Sequence, residues 1–516
     1  MRLLTGKSKA AGTPSDFSAT QLNEHYAAIS HDKAYVQPYK KPLIEGGCDL
    51  GEISEESVFH LLDTLPKTSM GTDGLPHWFL RLAAPSISLP VAHLFNLSVS
   101  KSQVPIQWKS SIITPVPKVA KPKSCSDFRP ISVTPILSRL LEKILIRGFI
   151  YPALQEPSCK ALFNDQFAFR PTGSCTSALI HLTHQAATLL QEYPYVHLIS
   201  LDYSKAFDTC RHSTFSVKLS DLPIPAKIHN WLVDYLTGRQ HCTKYKGSIS
   251  IMLVINSSFV QGSGIGPVAF IIQASDLHPK HPGNYLDKYA DDMYLLVPSV
   301  NSQLIPEELR YIAEWAAANN LSLNEKKTAE MVLHKKGTKG FAPPPPLPGI
   351  TRVESMVILG VTLNDTLTFD EHVCRTVSQS SQSLYALRVL RAHGLEGAAL
   401  WDVTRATLVS KMLYASPVWW GSITAAAKQR LQSLLSKLQR IGFLPQQFST
   451  FAELCEQADR SLFSSIIANS AHVLASLLPP IHHTGYDLRK RSHDHIIPRA
   501  DTFLRKQFIL RMLYDY

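Results

Sequence analysis

Three acidic residues occupy positions from which they could act together. Asp202 follows the apolar run at 195–201, and the pair Asp291 and Asp292 separates two apolar runs in KYADDMYLLVP. If these runs are neighbouring strands, the acids meet at one sheet edge and repel one another unless cations neutralise them. Carboxylate oxygens suit Mg²⁺ or Mn²⁺, and two such ions can activate a hydroxyl and stabilise a leaving pyrophosphate. The spacing therefore predicts a two-metal site, although one such acid alone more often caps a helix or occupies a turn.

The elements that would position these acids follow a mixed order. The run at 195–201 predicts a strand, and KYADDMYLLVP predicts two strands joined by a tight acidic turn. Apolar residues at helical spacing predict helices before and between them. From about Asp370 to the C-terminus the pattern is almost wholly helical. The predicted fold class is α+β, a palm-like core followed by a helical region.

Weaker patterns give more local predictions. Residues up to about 55 have weak periodicity and predict an irregular lead-in. Prolines within 110–119 indicate short or edge strands. The runs 249–255 and 357–363 each indicate one further strand. Apolar spacing from Leu80 through Leu97 predicts a longer helical segment that stops near Val104-Pro105.

Composition narrows the setting of the protein. Lysine and arginine outnumber aspartate and glutamate by 52 to 41, which gives a formal charge of +11. A polyanionic partner would suit this excess, yet the soluble surface of a large protein explains it equally well. The eight cysteines form no CxxC pair, and the chain lacks the apolar runs of a signal peptide or a membrane span. These features predict a nuclear or cytoplasmic protein with no membrane partner.

Short motifs give the acids a family context. The chain resembles the reverse transcriptases of non-LTR (LINE-like) retrotransposons from about Leu62 to the C-terminus. The motifs that carry the resemblance are LDYSKAFD (motif A), FVQGSGIGP (B), KYADDMYLL (C), LSLNEKKT (D), VILGV (E), and PVPK with DFRPIS in the fingers. MGTDGLP, HVCRTV, PVWW and YDLRKR are also similar to this family. The resemblance implies a right-hand polymerase with fingers, an antiparallel palm sheet and an all-helical thumb.

The resemblance also implies regions and partners. Residues 1–56 are the N-terminal lead-in, 57–340 the fingers and palm, 341–369 a proline-rich loop with the motif E strand, and 370–516 the helical thumb and C-terminal region. The implied activity is an RNA-directed DNA polymerase that adds dNTPs to a primer 3′-hydroxyl with two Mg²⁺ ions, or Mn²⁺. Its implied partners are an RNA template, a DNA primer and dNTPs.

Catalytic roles follow from the same resemblance. Asp202, Asp291 and Asp292 would bind the metal ions. Lys327 of motif D would donate a proton to the departing pyrophosphate. A solvated lysine at a helix end is the alternative for Lys327, and its neighbour Lys326 blurs the assignment.

The incoming nucleotide has implied contacts at Lys118, Arg129, Tyr203, Phe207, Gln261 and Gly262. Lys118 and Arg129 would face the triphosphate, unless Arg129 instead ties the fingers together. Phe207 would lie beneath the sugar and exclude a 2′-hydroxyl, and an ordinary core phenylalanine is the alternative. Gly262 would let the backbone approach the nucleotide closely, and Gln261 could hydrogen-bond it.

Four further expectations concern the rest of the chain and its function. Asp208 is expected to be a cap or structural acid rather than another metal ligand, and Trp419 and Trp420 are expected in the core. The lead-in is too short for the endonuclease domain of full-length relatives, so a truncated or partial product is expected. A catalytically decayed or co-opted copy that binds RNA or DNA is the alternative function. The intact acids favour the enzyme, because a scaffold has no physical need for three repelling carboxylates.

Overall fold

The computed structural model describes residues 17–43, 50–337, 340–481 and 493–515. Within these ranges strands and helices are mixed up to residue 364, and from Asp370 onward helices are the regular elements. The predicted α+β class is therefore confirmed. All of YDLRKR and parts of the predicted lead-in lie outside the described residues. No helix in the described ranges is long and apolar enough to cross a membrane.

The described strands form three sheets. They are β1 (Ser110–Pro117), β2 (Phe128–Val133), β3 (Tyr195–Leu201), β4 (Gln240–Tyr245), β5 (Ser248–Ile249), β6 (Leu253–Val254), β7 (Tyr285–Tyr289), β8 (Asp292–Pro298), β9 (Ala329–His334), β10 (Thr351–Arg352), β11 (Ser355–Ile358) and β12 (Val361–Asn364). The palm sheet has the order β10-β9-β3-β8-β7. The fingers sheet has the order β2-β1-β4-β5, with β6 also paired to β4, and β11 and β12 form a separate hairpin.

The helices surround these sheets. Those up to the palm are α1 (Ala19–Ile29), α2 (Glu55–Asp63), α3 (His77–Leu82), α4 (Ala84–Ser100), α5 (Ile136–Leu145), α6 (Tyr151–Gln155), α7 (Lys160–Phe163), α8 (Cys175–Glu192), α9 (Ala206–Thr209), α10 (His212–Ser220), α11 (Ala226–Leu236), α12 (Ile265–Gln273) and α13 (Ile305–Ala318). The C-terminal region contains α14 (Asp370–Ala392), α15 (Gly397–Thr404), α16 (Ser410–Met412), α17 (Ser416–Trp419), α18 (Ala425–Arg440), α19 (Phe451–Ala468), α20 (Thr502–Arg505) and α21 (Phe508–Asp515).

β3 is the centre of the palm sheet, and its predicted bounds are confirmed. It pairs antiparallel with β8 on one side and with β9 on the other. Val196 and Leu198 pack into the core shared with the C-terminal helices, whereas Ile199 and Leu201 pack into the core of the preceding helices. Both faces are covered, which explains why apolar residues point both ways along the strand. Asp202 directly follows this buried strand.

The fingers sheet corrects two predictions. β1 is not an edge strand along its whole length, because Ile112 and Ile113 pair with β2 on one side and β4 on the other. Its prolines fall in the second half, where β2 is the neighbour and the other side is open. The run 249–255 is not one strand but two short ones, β5 and β6, which both pair with β4.

The predicted irregular lead-in contains a packed helix instead. α1 begins with a capping box in which Ser18 and Gln21 exchange side-chain and backbone hydrogen bonds. Its Leu22 and Tyr26 are buried with Phe128 against the fingers sheet. The weak apolar periodicity of a helix with one narrow buried face hid this element.

Two further elements are divided where one was predicted. The helix expected from Leu80 to Leu97 breaks at Ala83, because Pro85 lies in the first turn of α4 and starts a new helix. The strand expected at 357–363 is the β11–β12 hairpin. Its two-residue turn, Leu359 and Gly360, has positive φ at both positions, 46° and 84°. That geometry is a tight hairpin turn of the primed kind.

The C-terminal helices form a core of their own. Trp419 and Trp420 are buried within it, so their predicted core placement is confirmed. α18 buries an apolar stripe at helical spacing, made of Leu431, Leu434, Leu435 and Leu438. Its opposite face leaves Lys437 and Arg440 exposed to solvent.

Candidate active site

The acidic pair lies at the turn between β7 and β8. Ala290 takes a left-handed conformation there, with φ 57°, which reverses the chain before Asp291. Its backbone N–H donates to Oε1 of the buried Gln166 at 3.2 Å. Leu201 of β3 pairs with Met293 of β8, so Asp202 leaves its strand beside the acidic turn. The two predicted segments are therefore neighbours, as the argument from the sequence required.

The electrostatics of the acids show that they interact. Burial, together with the negative charges of Asp291 and Asp202, raises the pKa of Asp292 to about 6. Burial also raises the pKa of Asp291, with Asp202 adding to the effect and Lys327 opposing it. The ionised forms of Asp291 and Asp292 are therefore less favourable beside the neighbouring negative charges.

Motif D supplies partners for Asp202. Lys327 Nζ lies 3.0 Å from Asp202 Oδ2. The Asn324 amide side chain donates to the same oxygen at 3.3 Å, and the Asn324 backbone N–H donates to the Asp202 carbonyl at 2.8 Å. Motif D is thus anchored to motif A by both main chain and side chains.

The donor set fits a hard divalent cation, although the acids do not yet form a ligand cluster. Within the described ranges, no three acidic, histidine or cysteine side chains converge at metal-ligand spacing. The ammonium of Lys327 instead neutralises Asp202. Three mutually repelling carboxylate side chains are the oxygen donors that Mg²⁺ and Mn²⁺ prefer. Asp202, Asp291 and Asp292 are the residues that could hold such ions.

An open cavity of about 550 Å³ brings all of the predicted site residues together. Its lining includes Lys118, Arg129, Asp202, Tyr203, Phe207, Gln261, Gly262, Asp291, Asp292 and Lys327. These residues come from both sheets, from the loop before α12 and from motif D. The cavity is large enough for a nucleotide-sized ligand.

The two fingers cations border the same cavity as the acids. Lys118 directly follows β1 and is exposed, and its ammonium donates to the Ser126 carbonyl at 3.0 Å. Arg129 lies on β2 and is exposed. Its positive charge acts to lower the pKa of Asp291, against the burial that raises it. The cavity therefore combines positive and negative charge, as binding of a triphosphate with metal ions would require.

The two aromatic residues of motif A differ in placement. Phe207 is partly buried and its ring stacks on Phe270 with centroids 4.7 Å apart, while it also borders the cavity. Tyr203 is buried, its hydroxyl lies 3.5 Å from Met293 Sδ, and its ring meets the edge of Trp315. The Tyr203 ring therefore points into the core. Tyr203 nevertheless borders the cavity, so its contact with a nucleotide stays a prediction.

The loop before α12 is fixed from two sides. The Gln261 carbonyl accepts from the Ser132 N–H at 2.7 Å, and Gln261 Nε2 donates to Asp208 Oδ1 at 2.9 Å. Gly262 has φ 115°, and a Cβ there would lie 2.3 Å from the Ser132 carbonyl oxygen. Only glycine satisfies both constraints. Asp208 is a structural acid, as predicted, and its partner is the side chain of Gln261.

Comparison with known proteins agrees with this geometry. The model of the family "Reverse transcriptase (RNA-dependent DNA polymerase)" matches residues 116–363. In Drosophila melanogaster, the probable RNA-directed DNA polymerase from transposon BS is 27% identical over 75% of this chain, and that of mobile element jockey is 26% identical over 66%. Residues 116–363 therefore match a reverse transcriptase domain, and the chain is similar to the polymerases of non-LTR retrotransposons.

The similarity extends over part of the length of these relatives. The matched regions cover 44% of the transposon BS protein and 38% of the jockey protein, so the chain spans less than half of their length. A retrotransposable element R2 polyprotein of Popillia japonica is 24% identical over 62% of the chain and 46% of its own length. A solved structure of telomerase from Candida tropicalis with a telomeric RNA fragment has a TM-score of 0.40 and 13% identity, covering 77% of this chain and 63% of its own.

Two supporting residues of the reverse transcriptase site carry no sequence signal of their own. Gln166 holds the acidic turn, as described above. Glu142 of α5 is buried, and its Oε2 accepts from the Gly264 N–H at 2.7 Å and the Ile265 N–H at 3.3 Å, at the start of α12. Ser138 donates to the other carboxylate oxygen at 2.9 Å. A negative charge at a helix N-terminus is favourable, so Glu142 fixes the motif B loop to the fingers.

Proposed function

We propose that the chain is an RNA-directed DNA polymerase that adds dNTPs to a primer 3′-hydroxyl on an RNA template. The observation that carries the proposal is the single cavity bordered by three interacting carboxylates, two fingers cations and the Gln261-Gly262 loop. A reverse transcriptase domain in this chain supports the same reaction. Because the chain spans less than half of its curated relatives, the proposal concerns this part of such proteins.

Each residue has a chemical task in the proposed reaction. Asp202, Asp291 and Asp292 would hold two Mg²⁺ ions, which would activate the primer hydroxyl and stabilise the leaving pyrophosphate. Arg129 and Lys118 would bind the triphosphate, Arg129 through its planar fork and Lys118 as a point charge. Both cations are exposed at the cavity and available to an anion.

Lys327 would act after the nucleotide and ions have entered. Its ammonium pairs with Asp202, yet the lysine side chain is largely exposed and can move. Once cations neutralise Asp202, the attraction that holds Lys327 there is lost. The freed ammonium could then give its proton to the departing pyrophosphate.

Phe207 would set the preference for deoxynucleotides. Its stacking on Phe270 supports the ring from beneath, at a place that borders the cavity. A rigid ring at the sugar leaves no room for a 2′-hydroxyl, whereas a mobile ring would yield. A packed position for Phe207 and a role in excluding the 2′-hydroxyl are therefore compatible, because packing is what makes the ring rigid. The work of such an enzyme would be in the nucleus or cytoplasm.

Primer extension on an RNA template with Mg²⁺ tests the proposal. We expect the chain to incorporate dNTPs and to reject ribonucleotides. The double variant Asp291→Asn, Asp292→Asn should lose about 10³-fold or more of the rate, the scale found when catalytic groups that act together are removed. The matched control is Glu55→Gln, Glu56→Gln, an exposed acidic pair in the first turn of α2.

Thermal unfolding of the same proteins separates catalysis from folding. Removing two repelling, partly buried charges should leave the unfolding midpoint of the Asn variant unchanged or raise it. Equal extension by wild type and variant would overturn the catalytic roles. Binding of RNA and DNA without any extension by the wild type would instead establish the co-opted, non-catalytic alternative.

A further inference from the structure

A second cavity lies where the helices before the palm meet the C-terminal region. Its volume is about 270 Å³, and we call it the junction cavity. One wall comes from residues 154–170, around α6 and α7, and the other from residues 470–476, which follow α19. Thr172 Oγ1 accepts from the Val473 N–H at 3.1 Å, so the chain just after the first wall is joined to the second wall. The junction cavity shares no lining residue with the cavity at the acids.

The charged residues in the lining of the junction cavity are both cations. They are Lys160 and Arg170, and no aspartate or glutamate lines the cavity with them. Lys160 is the first residue of α7 and is exposed. Within the part of the chain that the structure describes, its ammonium has neither a hydrogen-bond acceptor nor an ion-pair partner. The charge of Lys160 is therefore available to an anion in the cavity.

Arg170 is oriented by carbonyl groups rather than by an acid. Its Nη1 donates to the Gln166 carbonyl at 3.1 Å and also to the Phe163 carbonyl. Burial lowers the pKa of Arg170, and the negative charge of Asp165 opposes this effect only in part. No carboxylate of a described residue forms an ion pair with the guanidinium. The planar fork is thus held in place while its charge stays unpaired.

His472 adds a donor from the other wall. The imidazole is buried, and burial lowers its pKa, so the ring is neutral near pH 7. Its Nδ1 accepts from the Leu474 N–H at 3.1 Å, which places the ring proton on Nε2. The Asn164 amide and the hydroxyls of Ser470 and Ser476 also line the cavity. The lining therefore offers two cations and several neutral donors.

A phosphate group matches this set of donors. Its oxygens accept several hydrogen bonds at once, and its negative charge suits two unpaired cations. We propose that the junction cavity binds a phosphate group through Lys160, Arg170 and His472. The phosphate belongs to a nucleic-acid strand or to a small phosphate compound, and the volume leaves space for the rest of a nucleotide. The site goes beyond the proposed polymerase reaction and does not depend on it.

Binding of single-stranded RNA, without primer or dNTPs, tests the nucleic-acid source. Each phosphate contact on a single strand contributes about 0.7 to the slope of log K against log salt concentration. We expect Lys160→Gln to reduce the slope by about 0.7 and to weaken binding about five-fold at about 0.1 M salt, whatever the RNA sequence. Lys101→Gln is the matched control, because Lys101 is exposed at the end of α4 and lines neither cavity. Fluorescence anisotropy of a short labelled RNA measures both quantities.

Asn164→Asp tests the same site without removing a cation. It adds a carboxylate to the lining, where it would repel a bound phosphate. The change in net charge equals that of the two lysine variants, so a general effect of charge would be the same in all three. We expect RNA binding about five-fold weaker or more, again relative to Lys101→Gln.

Thermal unfolding with inorganic phosphate tests the small-molecule source. Phosphate is compared with chloride at equal ionic strength. We expect phosphate to raise the unfolding midpoint of the wild type and of Lys101→Gln by about 2 °C or more, and that of Lys160→Gln by less. Phosphate bound at the acids would affect all three proteins alike, so the difference between them reports on the junction cavity.

The outcomes identify the ligand or overturn the site. Weaker RNA binding by Lys160→Gln and Asn164→Asp, with an unchanged response to phosphate, would identify a nucleic-acid strand, and the opposite pattern a small phosphate compound. Variants that match Lys101→Gln in both measurements would overturn the site and leave the proposed function standing. A wild type that extends no primer, with the effect of Lys160→Gln on RNA binding intact, would overturn the proposed function alone.

Discussion

Asp208 illustrates how a single residue supports the site at a cost to the fold. Its carboxylate accepts the hydrogen bond that aims Gln261 into the cavity. Burial raises the pKa of Asp208. The hydrogen bond from Gln261 and the charges of Lys118 and Lys205 oppose this effect only in part, and the pKa is about 7. The ionised form is therefore disfavoured in the fold relative to the unfolded chain, where the carboxyl is solvated.

Asp208→Asn should change the pH dependence of stability. The folded-state pKa is raised, so the stability present below about pH 4 is lost as the pH rises through about 7. The asparagine of the variant cannot ionise, so the variant does not lose this stability, and its side-chain oxygen can still accept the hydrogen bond from Gln261. Relative to wild type, we expect its free energy of unfolding to be higher by about 1–3 kcal/mol at pH 8 and equal or lower at pH 4.

Denaturant unfolding at both pH values measures this difference. Asp221→Asn is the control, because Asp221 is an exposed acid and should show no such pH-dependent gain. A gain of the same size at pH 4 and pH 8 would contradict the assignment of the raised pKa to Asp208.

At the residue scale, the sequence predicts the residues that border the cavity better than the residues that hold them in place. All ten predicted residues border one cavity, because acids, cations and glycines leave short motifs around a reacting centre. Tyr203 could not be placed from its motif, since only the packing of Met293 and Trp315 shows that its ring faces inward. Gln166 and Glu142 contact partners more than 120 residues away, at 124 and 122 positions, and such pairs leave no local pattern.

The loop before α12 is an element whose shape depends on one glycine. Gly262→Ala would place a methyl group against the backbone of β2 and would also strain a positive φ. Gly247→Ala on the fingers sheet is a matched control, because Gly247 has φ 86° with nothing within 4 Å of its Cβ position. Both variants carry the conformational cost of about 1 kcal/mol, and only Gly262→Ala adds a collision.

We expect Gly262→Ala to lose primer extension at least 10-fold with a raised KM for dNTP, because Gln261 would move with the loop. Gly247→Ala should extend primers at the wild-type rate with a small loss of stability. Steady-state kinetics with varied dNTP measures both. Comparable losses in the two variants would mean that backbone strain, and not contact with Ser132, explains the requirement for glycine.

Elements with strong apolar periodicity were predictable from the sequence. Elements that the structure divides in two, such as the β11–β12 hairpin, were predicted as one. The bounds of β3 and the acidic hairpin follow from apolar runs that end in polar residues. The β11–β12 hairpin was missed because Leu359 is an unusual residue for a primed turn, and its cost is offset by Tyr414 from 55 residues away. α1 was missed because its partners, the fingers strands, follow much later in the chain.

At the scale of the whole molecule, the lead-in clamps the fingers to the palm. Asp32, just after α1, is buried and accepts from Arg211 Nε at 2.7 Å and Nη2 at 3.2 Å. Burial alone would raise the pKa of Asp32, but the hydrogen bonds from Arg211 and the Ala34 N–H hold it below its ordinary range. Residues 17–43 of the lead-in thus pack onto the folded unit.

A double-mutant cycle with Asp32→Asn and Arg211→Gln should give a coupling energy of about 1–3 kcal/mol. The two-point contact is buried on the Asp32 side, which strengthens it relative to a surface pair. Lys280 and Glu307 form a control pair at 2.7 Å whose side chains are both about half exposed, and their coupling should be clearly weaker than that of the buried pair. Unfolding free energies of the four proteins in each cycle provide the values, and equal coupling in both pairs would contradict the clamp.

The strand order of the palm has a consequence for synthesis on the ribosome. β3 cannot pair with β8 and β9 until residues 292–298 and then 329–334 have been synthesised. Until then, both edges of the central strand remain unpaired. During that interval the nascent chain exposes an apolar strand that can pair with other chains. A chain halted before residue 329 would keep every catalytic acid and yet leave one edge of its sheet open. Such a product should require a chaperone, and its fate would be aggregation rather than activity.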